Sequence, residues 1–297
     1  MRILNIHGVS DVRLDARDAP RPGDLDVVVQ IKACGVCGSD LSYIKIGGVN
    51  RPEGGVTPLG HEASGVVTAV GGGVSGIAPG QRVIINPMRT ANRIGTGGPE
   101  GAFSEAVLVA EAQVGENVLP IPDDLPFDVA ALAEPLAVAL HSVNRAQVKA
   151  GDKVAVFGCG PIGLGIILWL VERGADVAAL DLAPERLERA RAMGARTTIN
   201  PTTDDVSARL VEAHGAGRSL FRDAVGTDVF IEAAGAPNIV GDIIKMARTH
   251  ARLVVTAAPY KPVEVDFKAM MLNELTITTA LGYPTELPEV REPVTAG

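Results

Sequence analysis

The segment Lys153–Gly163, KVAVFGCGPIG, decides the fold of this 297-residue chain. An apolar run typical of a buried strand ends at Gly158, and further glycines at 160 and 163 complete the spacing G-x-G-x-x-G. The residues that follow have a helical pattern. A strand, a glycine turn and a helix in this order predict the first unit of a sheet that binds a dinucleotide.

Each glycine has a physical role in such a turn. Gly158 permits the tight turn, Gly160 lets the backbone approach a pyrophosphate, and Gly163 lets the helix pack closely on the strand. Free amides at the amino terminus of the helix would then hold the phosphates. The alternative interpretation is a glycine turn within a sheet that binds no ligand.

An acidic residue ends the next apolar strand at the distance expected for a ribose ligand. Asp181 follows Gly163 by close to the ~20 residues typical of this motif. Its carboxylate would accept hydrogen bonds from both ribose hydroxyls and repel a 2′-phosphate, which favours NAD over NADP. Arg186 is close enough in the sequence to reach the ribose as well.

Strand and helix patterns alternate through the rest of the chain. Helix-like segments such as PERLERARAMG separate six strand candidates, namely KVAVFG, DVAALD, TTIN, DVFIEAAG, RLVVTAA and LTITTAL. Continuous apolar strands separated by helices predict a doubly wound parallel sheet. The last strand is apolar and β-branched, so its open edge predicts pairing with a second copy in a homo-oligomer, a dimer or a tetramer.

The first half of the chain is instead rich in glycine and proline. Its short valine-rich runs predict a mostly β domain, the runs being DVVVQIKA, GVVTAVG, QRVIINP and FSEAVLV. We therefore expect an α/β protein in which residues 1–148 form the β-rich domain and residues 149–286 the dinucleotide-binding domain. Residues 287–297 are expected to be a short tail without strand or helix periodicity.

Composition excludes several classes of function. The net charge is −8 and no basic cluster is present, which argues against a nucleic-acid partner. The most apolar stretch, LGIILWLVE, is far too short to span a bilayer, and no targeting segment is evident, so no membrane partner is expected. Three cysteines, a small and odd number, predict a reduced cytoplasmic protein.

A thiol, an imidazole and a carboxylate occur together in the β-rich half. Cys37 lies in ACGVCGSD, and His61 and Glu62 lie side by side in PLGHEASGVV. Ionisable groups at the start of an apolar strand need a partner. Catalytic zinc is held by three protein ligands of these types, which leave a fourth position open. Glu134, in the apolar segment LAEPLAVALHS, is a further acid that a metal would pair.

Cys34 and Cys37 also form C-x-x-C. This pattern is typical of a redox pair or of half a zinc clip, but no second C-x-x-C exists in the sequence to complete a four-cysteine site.

Four motifs in register make the chain resemble the zinc-dependent medium-chain alcohol dehydrogenases. The motifs are ACGVCGSD, PLGHEASGVV, LAEPLAVALHS and GCGPIG…LD, and the polyol branch, with its sorbitol, L-idonate, butanediol and threonine dehydrogenases, is the most similar. The resemblance implies a GroES-like catalytic domain followed by a Rossmann domain. It also implies that Cys37, His61, Glu62 and Glu134 surround one catalytic zinc ion, with either glutamate as the third ligand.

The implied function is zinc-dependent hydride transfer between NAD and a secondary alcohol in a polyol, a sugar acid or a hydroxy amino acid. Ser39 matches the family serine that begins a proton relay. Many relatives have histidine where this chain has Ser42, so we expect the relay to end in water or a ribose hydroxyl. Tyr43 either lines the substrate pocket or is buried in the core. The expected cofactor contacts are Gly158, Gly160, Pro161, Ile162, Gly163, Asp181, Arg186 and Ala234.

Two features depart from the family. Many relatives carry a structural zinc on four cysteines where this chain has NPMRTANRIGTGGPEGAFSEAV, so we expect hydrogen bonds and packing to hold this loop. Relatives also return to the catalytic domain after the sixth strand, whereas this chain ends at YPTELPEVREPVTAG. Either the chain is truncated or its catalytic domain is unusually reduced, and a truncated chain would bind NAD but be poorly stable and weakly active. The alternative function is therefore a catalytically impaired NAD-binding homologue, while a zinc-free quinone reductase would lack the cysteine and GHE ligands.

Overall fold

The computed structural model of the protein describes residues 1–50, 55–220, 222–258 and 262–290. The chain divides into two compact units. Unit 1 contains residues 1–137 together with the segment that starts at residue 284, and unit 2 contains residues 138–283. The change from unit 1 to unit 2 comes before residue 148, where the sequence analysis set the domain boundary.

Unit 1 is built on two antiparallel sheets. Its strands, in chain order, are β1 (Arg2–Gly8), β2 (Asp11–Ala16), β3 (Val27–Gly35), β4 (Thr57–Pro58), β5 (Glu62–Val70), β6 (Arg82–Ile85), β7 (Ala106–Val109) and β8 (Val118–Pro120). One sheet has the order β2-β1-β4 and the other β7-β3-β5-β6-β8. The four valine-rich runs of the sequence are β3, β5, β6 and β7, and their buried side chains, among them Val29, Val67 and Val107, form the core of this unit.

The helices of unit 1 are short. They are α1 (Gly38–Ile46), α2 (Phe127–Ala131) and the first part of α3 (Ala133–Arg145), besides a 3₁₀ turn at Pro87–Arg89. Helix α1 begins directly after Cys37, whose backbone amide donates to Asp40 Oδ2 at 2.9 Å. It ends at Gly47, which has a φ of 85° and forms the left-handed cap.

Hydrogen bonds and a buried acid hold the glycine-rich loop that precedes β7. Asn92 Nδ2 donates to the Leu108 carbonyl at 2.7 Å, and the Ala110 amide donates to Asn92 Oδ1 at 3.4 Å. Glu100 is buried and accepts from Arg17 Nη2 at 2.5 Å and from the Leu108 amide at 3.2 Å. These side chains join the loop to strand β7, as the sequence analysis expected.

The segment that starts at Pro284 packs as part of unit 1. The Pro284 carbonyl accepts from Arg89 Nη2 at 2.9 Å, and Leu287 and Val290 are buried. The Val290 amide donates to the Glu286 carbonyl at 3.0 Å, and residues 287–290 are helical. One turn of helix therefore lies within the predicted tail, where two apolar positions are too few to show a period in the sequence. Residues 291–297 lie outside the described part.

Unit 2 is a doubly wound parallel sheet. Its strands are β9 (Lys153–Phe157), β10 (Asp176–Leu180), β11 (Thr197–Ile199), β12 (Ala216–Arg218), β13 (Asp223–Val225), β14 (Val229–Glu232), β15 (Arg252–Val255) and β16 (Thr276–Thr279). The six-stranded sheet has the order β11-β10-β9-β14-β15-β16, and all its pairs are parallel. The six predicted strands form this sheet, and the predicted fold class is confirmed. The hairpin β12-β13 was not predicted, because its strands carry no apolar run.

Helices cover both faces of this sheet. They are α4 (Pro161–Glu172), α5 (Pro184–Ala192), α6 (Val206–His214), α7 (Ile239–Met246) and α8 (Phe267–Asn273). Val154 and Val156 of β9 pack in the cluster that contains Ile166 of α4, whereas Ala155 packs in the cluster that contains Ile243 of α7. Alternate side chains of a strand point to opposite faces, so β9 is apolar at every position after Lys153. No helix in the described ranges is long and apolar enough to cross a membrane.

Asn92→Ala tests whether hydrogen bonds support the loop that lacks cysteines. The substitution removes both hydrogen bonds to the β7 region, so we expect the free energy of unfolding to fall by about 1–3 kcal/mol. Scanning calorimetry measures this as a lower melting temperature. Thr96→Ala is the control, because it leaves the backbone bond between the Thr96 amide and Arg93 in place. Equal melting temperatures for the two variants would contradict the role assigned to Asn92.

Candidate functional site

The antiparallel pairing of β3 with β5 brings three predicted metal ligands together. Gly35, the last residue of β3, pairs with Glu62, the first residue of β5. The chain reaches Cys37 just after β3, and His61 comes immediately before β5. As a result, the candidate ligand atoms of Cys37, His61 and Glu62 all lie within 4.8 Å of one another.

Two glycines leave the space that these side chains occupy. A Cβ atom on Gly35 would lie 2.0 Å from Glu62 Oε2, so the carboxylate fills the place of a side chain there. Gly60, directly before His61, has a φ of 90°, and a Cβ atom on it would lie 2.6 Å from the Phe103 amide nitrogen. Both positions therefore require glycine.

Asp40 contacts the backbone next to two of the candidate ligands, and its role was not predicted from the sequence. Its side chain is 1% exposed. Oδ2 accepts from the Cys37 amide at 2.9 Å, and Oδ1 accepts from the Gly60 amide at 3.3 Å. Oδ1 also lies 3.6 Å from His61 Nδ1, a buried nitrogen without a hydrogen-bond partner among the described residues. The available signal was the acid three residues after Cys37, at the N3 position of a helix.

The electrostatics of the cluster favour a bound cation. Burial raises the pKa of the Cys37 thiol, and the charges of Glu62 and Glu134 raise it further, against hydrogen bonds from Ser39. Burial also raises the pKa of Glu62, against the charge of His61 and a hydrogen bond from Cys37. A divalent cation would stabilise the deprotonated form of both groups and remove this conflict.

The donor set fits zinc. Sulfur, imidazole nitrogen and carboxylate oxygen are the ligand types that zinc takes in proteins, and three of them leave a fourth position open. An acidic partner beside the second ring nitrogen of a metal-binding histidine, as Asp40 stands beside His61 Nδ1, is a common supporting contact.

Two neighbouring residues lie outside the group of three. Glu134, at the start of α3, is 8% exposed, and its charge raises the pKa of Cys37. Its carboxylate does not lie within 4.8 Å of all three candidate ligand atoms. Cys34 is also outside the group. Its thiol lies 3.5 Å from the Gly35 carbonyl, and burial raises its pKa strongly.

Helix α1 carries three hydroxyl side chains close in the chain to Cys37, namely Ser39, Ser42 and Tyr43. Hydrogen bonding from Ser39 acts to lower the pKa of the Cys37 thiol and of the Tyr43 hydroxyl, against the larger effect of burial. Tyr43 is half-buried, and burial raises its pKa. Ser42 donates to the Gly38 carbonyl at 3.0 Å, within the helix backbone.

The predicted glycine turn of unit 2 has the expected backbone. Gly158 has a φ of 98°, and a Cβ atom on Gly163 would lie 1.8 Å from the Gly158 carbonyl oxygen, so helix α4 packs directly on the turn. A Cβ atom on Gly160 would meet no atom within 4 Å, which leaves the backbone open to a ligand. Gly160 caps α4, and the helix starts with Pro161 and Ile162.

Asp181 lies at the end of β10, beside this turn. Its Oδ2 accepts from the Cys159 amide at 2.7 Å, and its Oδ1 accepts from the Ala183 amide at 2.9 Å. Arg186 Nη1 is 3.8 Å from Asp181 Oδ2, and the Arg186 side chain is half exposed. Both oxygens keep lone pairs that ribose hydroxyls can use.

A cavity of about 1350 Å³ opens in unit 2 at the carboxyl ends of the strands. Five of the eight predicted cofactor contacts line it, namely Gly158, Gly160, Asp181, Arg186 and Ala234. Ligands of open α/β sheets bind at this edge, where the strand order reverses between β9 and β14.

The chain is similar to known proteins over nearly its whole length. Family models described as alcohol dehydrogenase GroES-like domain and zinc-binding dehydrogenase match residues 23–123 and 161–295. (R,R)-butanediol dehydrogenase of Bacillus subtilis (strain 168) is 34% identical over 314 residues, which cover 98% of this chain and 87% of the relative.

Solved structures show the same likeness. The crystal structure of 2R,3R-butanediol dehydrogenase from Bacillus subtilis matches with a TM-score of 0.86 at 33% identity, covering 100% of this chain and 88% of that one. A putative zinc-binding dehydrogenase from Sinorhizobium meliloti 1021, bound to NADP, matches with a TM-score of 0.85 at 28% identity and the same coverage.

The metal cluster predicts about one zinc ion per chain, which elemental analysis of freshly purified protein measures. Cys37→Ala should lose both the zinc and the turnover, because it removes the only sulfur of the group of three. Cys34→Ala is the matched control and should retain the zinc. Loss of zinc from Cys34→Ala would show that both cysteines of the C-x-x-C pair bind the zinc.

Proposed function

The chain belongs to the zinc-binding alcohol dehydrogenase family, and we propose that it oxidises a secondary alcohol of a polyol, sugar acid or hydroxy amino acid with NAD. As a member of this family it is a zinc-dependent oxidoreductase that transfers a hydride between an alcohol and a nicotinamide cofactor. The name of the relative, butanediol dehydrogenase, supports an alcohol with a second hydroxyl group as substrate. The group of Cys37, His61 and Glu62, in which the histidine and the glutamate are buried, is the observation that carries the proposal.

We assign the zinc to Cys37, His61 and Glu62. The short distances among their ligand atoms support Glu62 rather than Glu134 as the third ligand, with Glu134 as a nearby negative charge. A zinc ion bound there would supply a Lewis acid that favours loss of the alcohol proton at neutral pH. Asp40 would accept from His61 Nδ1 and so orient the ring.

The proposed role of Ser39 is to carry the alcohol proton away. Its hydroxyl is hydrogen-bonded next to the Cys37 thiol and can both accept and donate a proton. Ser42 is bonded to the helix backbone, which supports a relay that ends in water or a ribose hydroxyl rather than at position 42.

The cofactor would bind at the glycine turn of unit 2. The open backbone at Gly160 and the start of α4 suit a pyrophosphate, and Asp181 suits the ribose. We propose NAD rather than NADP because the Asp181 carboxylate would repel a 2′-phosphate. The positive charge of Arg186, 3.8 Å from this carboxylate, opposes that repulsion. None of the similarities described above favours the alternative of a catalytically impaired homologue.

We further propose a homo-oligomer that associates through unit 2, and a reducing compartment such as the cytoplasm. Strand β16 is at one end of the six-stranded sheet and pairs with β15 only, among the described strands. Phe267 and Met271 of the neighbouring helix α8 are 75% and 69% exposed. An open strand edge beside exposed apolar side chains favours association.

Three free cysteines suit a reducing compartment.

A panel of secondary alcohols, assayed by NADH production with the zinc-loaded protein, tests the activity. Diols and polyols should be oxidised, and Cys37→Ala should be inactive on every alcohol that the unmodified protein oxidises. Binding of NADH without oxidation of any alcohol in the panel would support the catalytically impaired homologue instead.

The same assay with NADP tests the role of Asp181. We expect higher kcat/KM with NAD, and a loss of about tenfold or more with NAD in Asp181→Asn, which keeps an acceptor oxygen but loses the charge. The loss with NADP should be smaller, because the repulsion of the 2′-phosphate is also removed. A higher kcat/KM with NADP in the unmodified protein would show that Asp181 does not select the cofactor.

Thr279→Pro tests the association edge. The Thr276 amide donates to the Ala251 carbonyl, just before β15, and the Ala280 amide donates to the Val255 carbonyl, so by strand alternation the Thr279 amide faces away from β15. Proline removes this amide without removing a bond to β15, and light scattering should show a smaller particle than for Thr279→Ser. A monomer for the unmodified protein at micromolar concentration would exclude the association.

A further inference from the structure

Unit 2 contains a buried acid that neither the zinc nor the predicted cofactor contacts explain. Glu232 is the last residue of β14, the strand beside β9, and it is 2% exposed. Removing a carboxylate from water is unfavourable unless hydrogen bonds replace the lost hydration. Its contacts therefore indicate what the residue does.

The side chain of Glu232 holds the turn that follows its own strand. Oε1 accepts from the Ala234 amide at 2.8 Å and from the Gly235 amide at 2.7 Å. The turn needs such support, because Gly235 has a φ of 74° and no regular secondary structure covers residues 233–236. Ala233, Ala234 and Ala236 line the cavity in which the glycine turn also lies.

The backbone of Glu232 joins this turn to the one that follows β15. The Glu232 carbonyl accepts from the Thr256 amide at 2.8 Å and from the Ala257 amide at 3.2 Å. One residue thus binds amides of two consecutive strand-end turns, with its side chain on one and its carbonyl on the other.

The 233–236 turn is also packed against the glycine turn after β9. The Ala233 amide donates to the Phe157 carbonyl at 2.8 Å. A Cβ atom on Gly158 would lie 2.9 Å from the carbonyl of Ala233, so the two backbones are in direct contact. A displacement of the 233–236 turn would therefore disturb the glycine turn as well as the cavity wall.

We propose that Glu232 is a positioning residue for the nicotinamide cofactor. The Glu232 carboxylate holds the 233–236 turn in the conformation that the cofactor contacts. This inference rests on the proposed placement of the cofactor at Gly158 and Ala234. Glu232 acts through backbone amides and does not itself touch the cofactor. The required feature is an acceptor oxygen at the position of Oε1, and the negative charge is not required.

Three substitutions separate the acceptor oxygen from the charge. Glu232→Gln keeps an acceptor oxygen at the same reach and loses the charge, whereas Glu232→Asp keeps the charge and shortens the reach by one methylene group. Glu232→Ala removes both. Glu188→Gln, at an exposed position of α5, is the control for the loss of a negative charge from this unit.

The primary measurement is the dissociation constant of NADH from its fluorescence change, with zinc content measured on the same samples. We expect Glu232→Ala and Glu232→Asp to bind NADH about tenfold more weakly, and Glu232→Gln and Glu188→Gln to stay within about twofold of the unmodified protein. The KM for NAD should rise in the same order, while zinc content and the KM for the alcohol stay unchanged. A residue with a merely structural role would lower the melting temperature and the fraction of active protein, and leave the NADH constant of the folded molecules unchanged.

The outcomes separate this inference from the proposed function. Equal NADH affinity in all variants, or weak binding by Glu232→Gln with normal binding by Glu232→Asp, would overturn the positioning role and leave the activity intact. Failure of the unmodified protein to bind NADH would overturn both. If Glu232→Ala does not fold, the comparison of the Gln and Asp variants still decides the matter.

Discussion

The register of β3 against β5 is the constraint on which the group of candidate metal ligands depends. Gly35 opposes Glu62 in this register, and the missing side chain of the glycine leaves the volume that the carboxylate occupies. A slip by one residue would turn every side chain of β5 to the other face of the sheet. Cys37 and His61 are adjacent to the paired strand ends, so the same register determines the distances among all three candidate ligands.

Buried carboxylates that bind backbone amides recur at both candidate sites. Asp40, Asp181 and Glu232 each accept from two amides of nearby turns. The two hydrogen bonds to each carboxylate offset the unfavourable burial of the acid and stiffen irregular backbone. Ligand sites need such rigid turns, because a site that moves by a fraction of an ångström loses affinity.

The parts of the fold that could be predicted are those with a strong local signal. Four strands of the parallel sheet, β9, β10, β14 and β15, contain continuous apolar runs, and β11 and β16 are rich in β-branched threonine and isoleucine; all six appear at the expected place. The β12-β13 hairpin and the short helix at residues 287–290 have no such signal, because neither contains a run of apolar or β-branched residues. Asp40 and Glu232 could not be ranked above other acids from the sequence, since their roles depend on burial and on amides that only the folded chain brings near.

The sequence by itself determined the order of the two folds, the glycine turn and the identity of the zinc-ligand candidates. Turn glycines and apolar periods act within a few residues, so they can be read without knowing the rest of the chain. Only the tertiary structure decided that Glu62, and not Glu134, stands within the short distances of Cys37 and His61. The physical reason is that strand register and side-chain reach set those distances, and both depend on pairing between segments that are far apart in the chain.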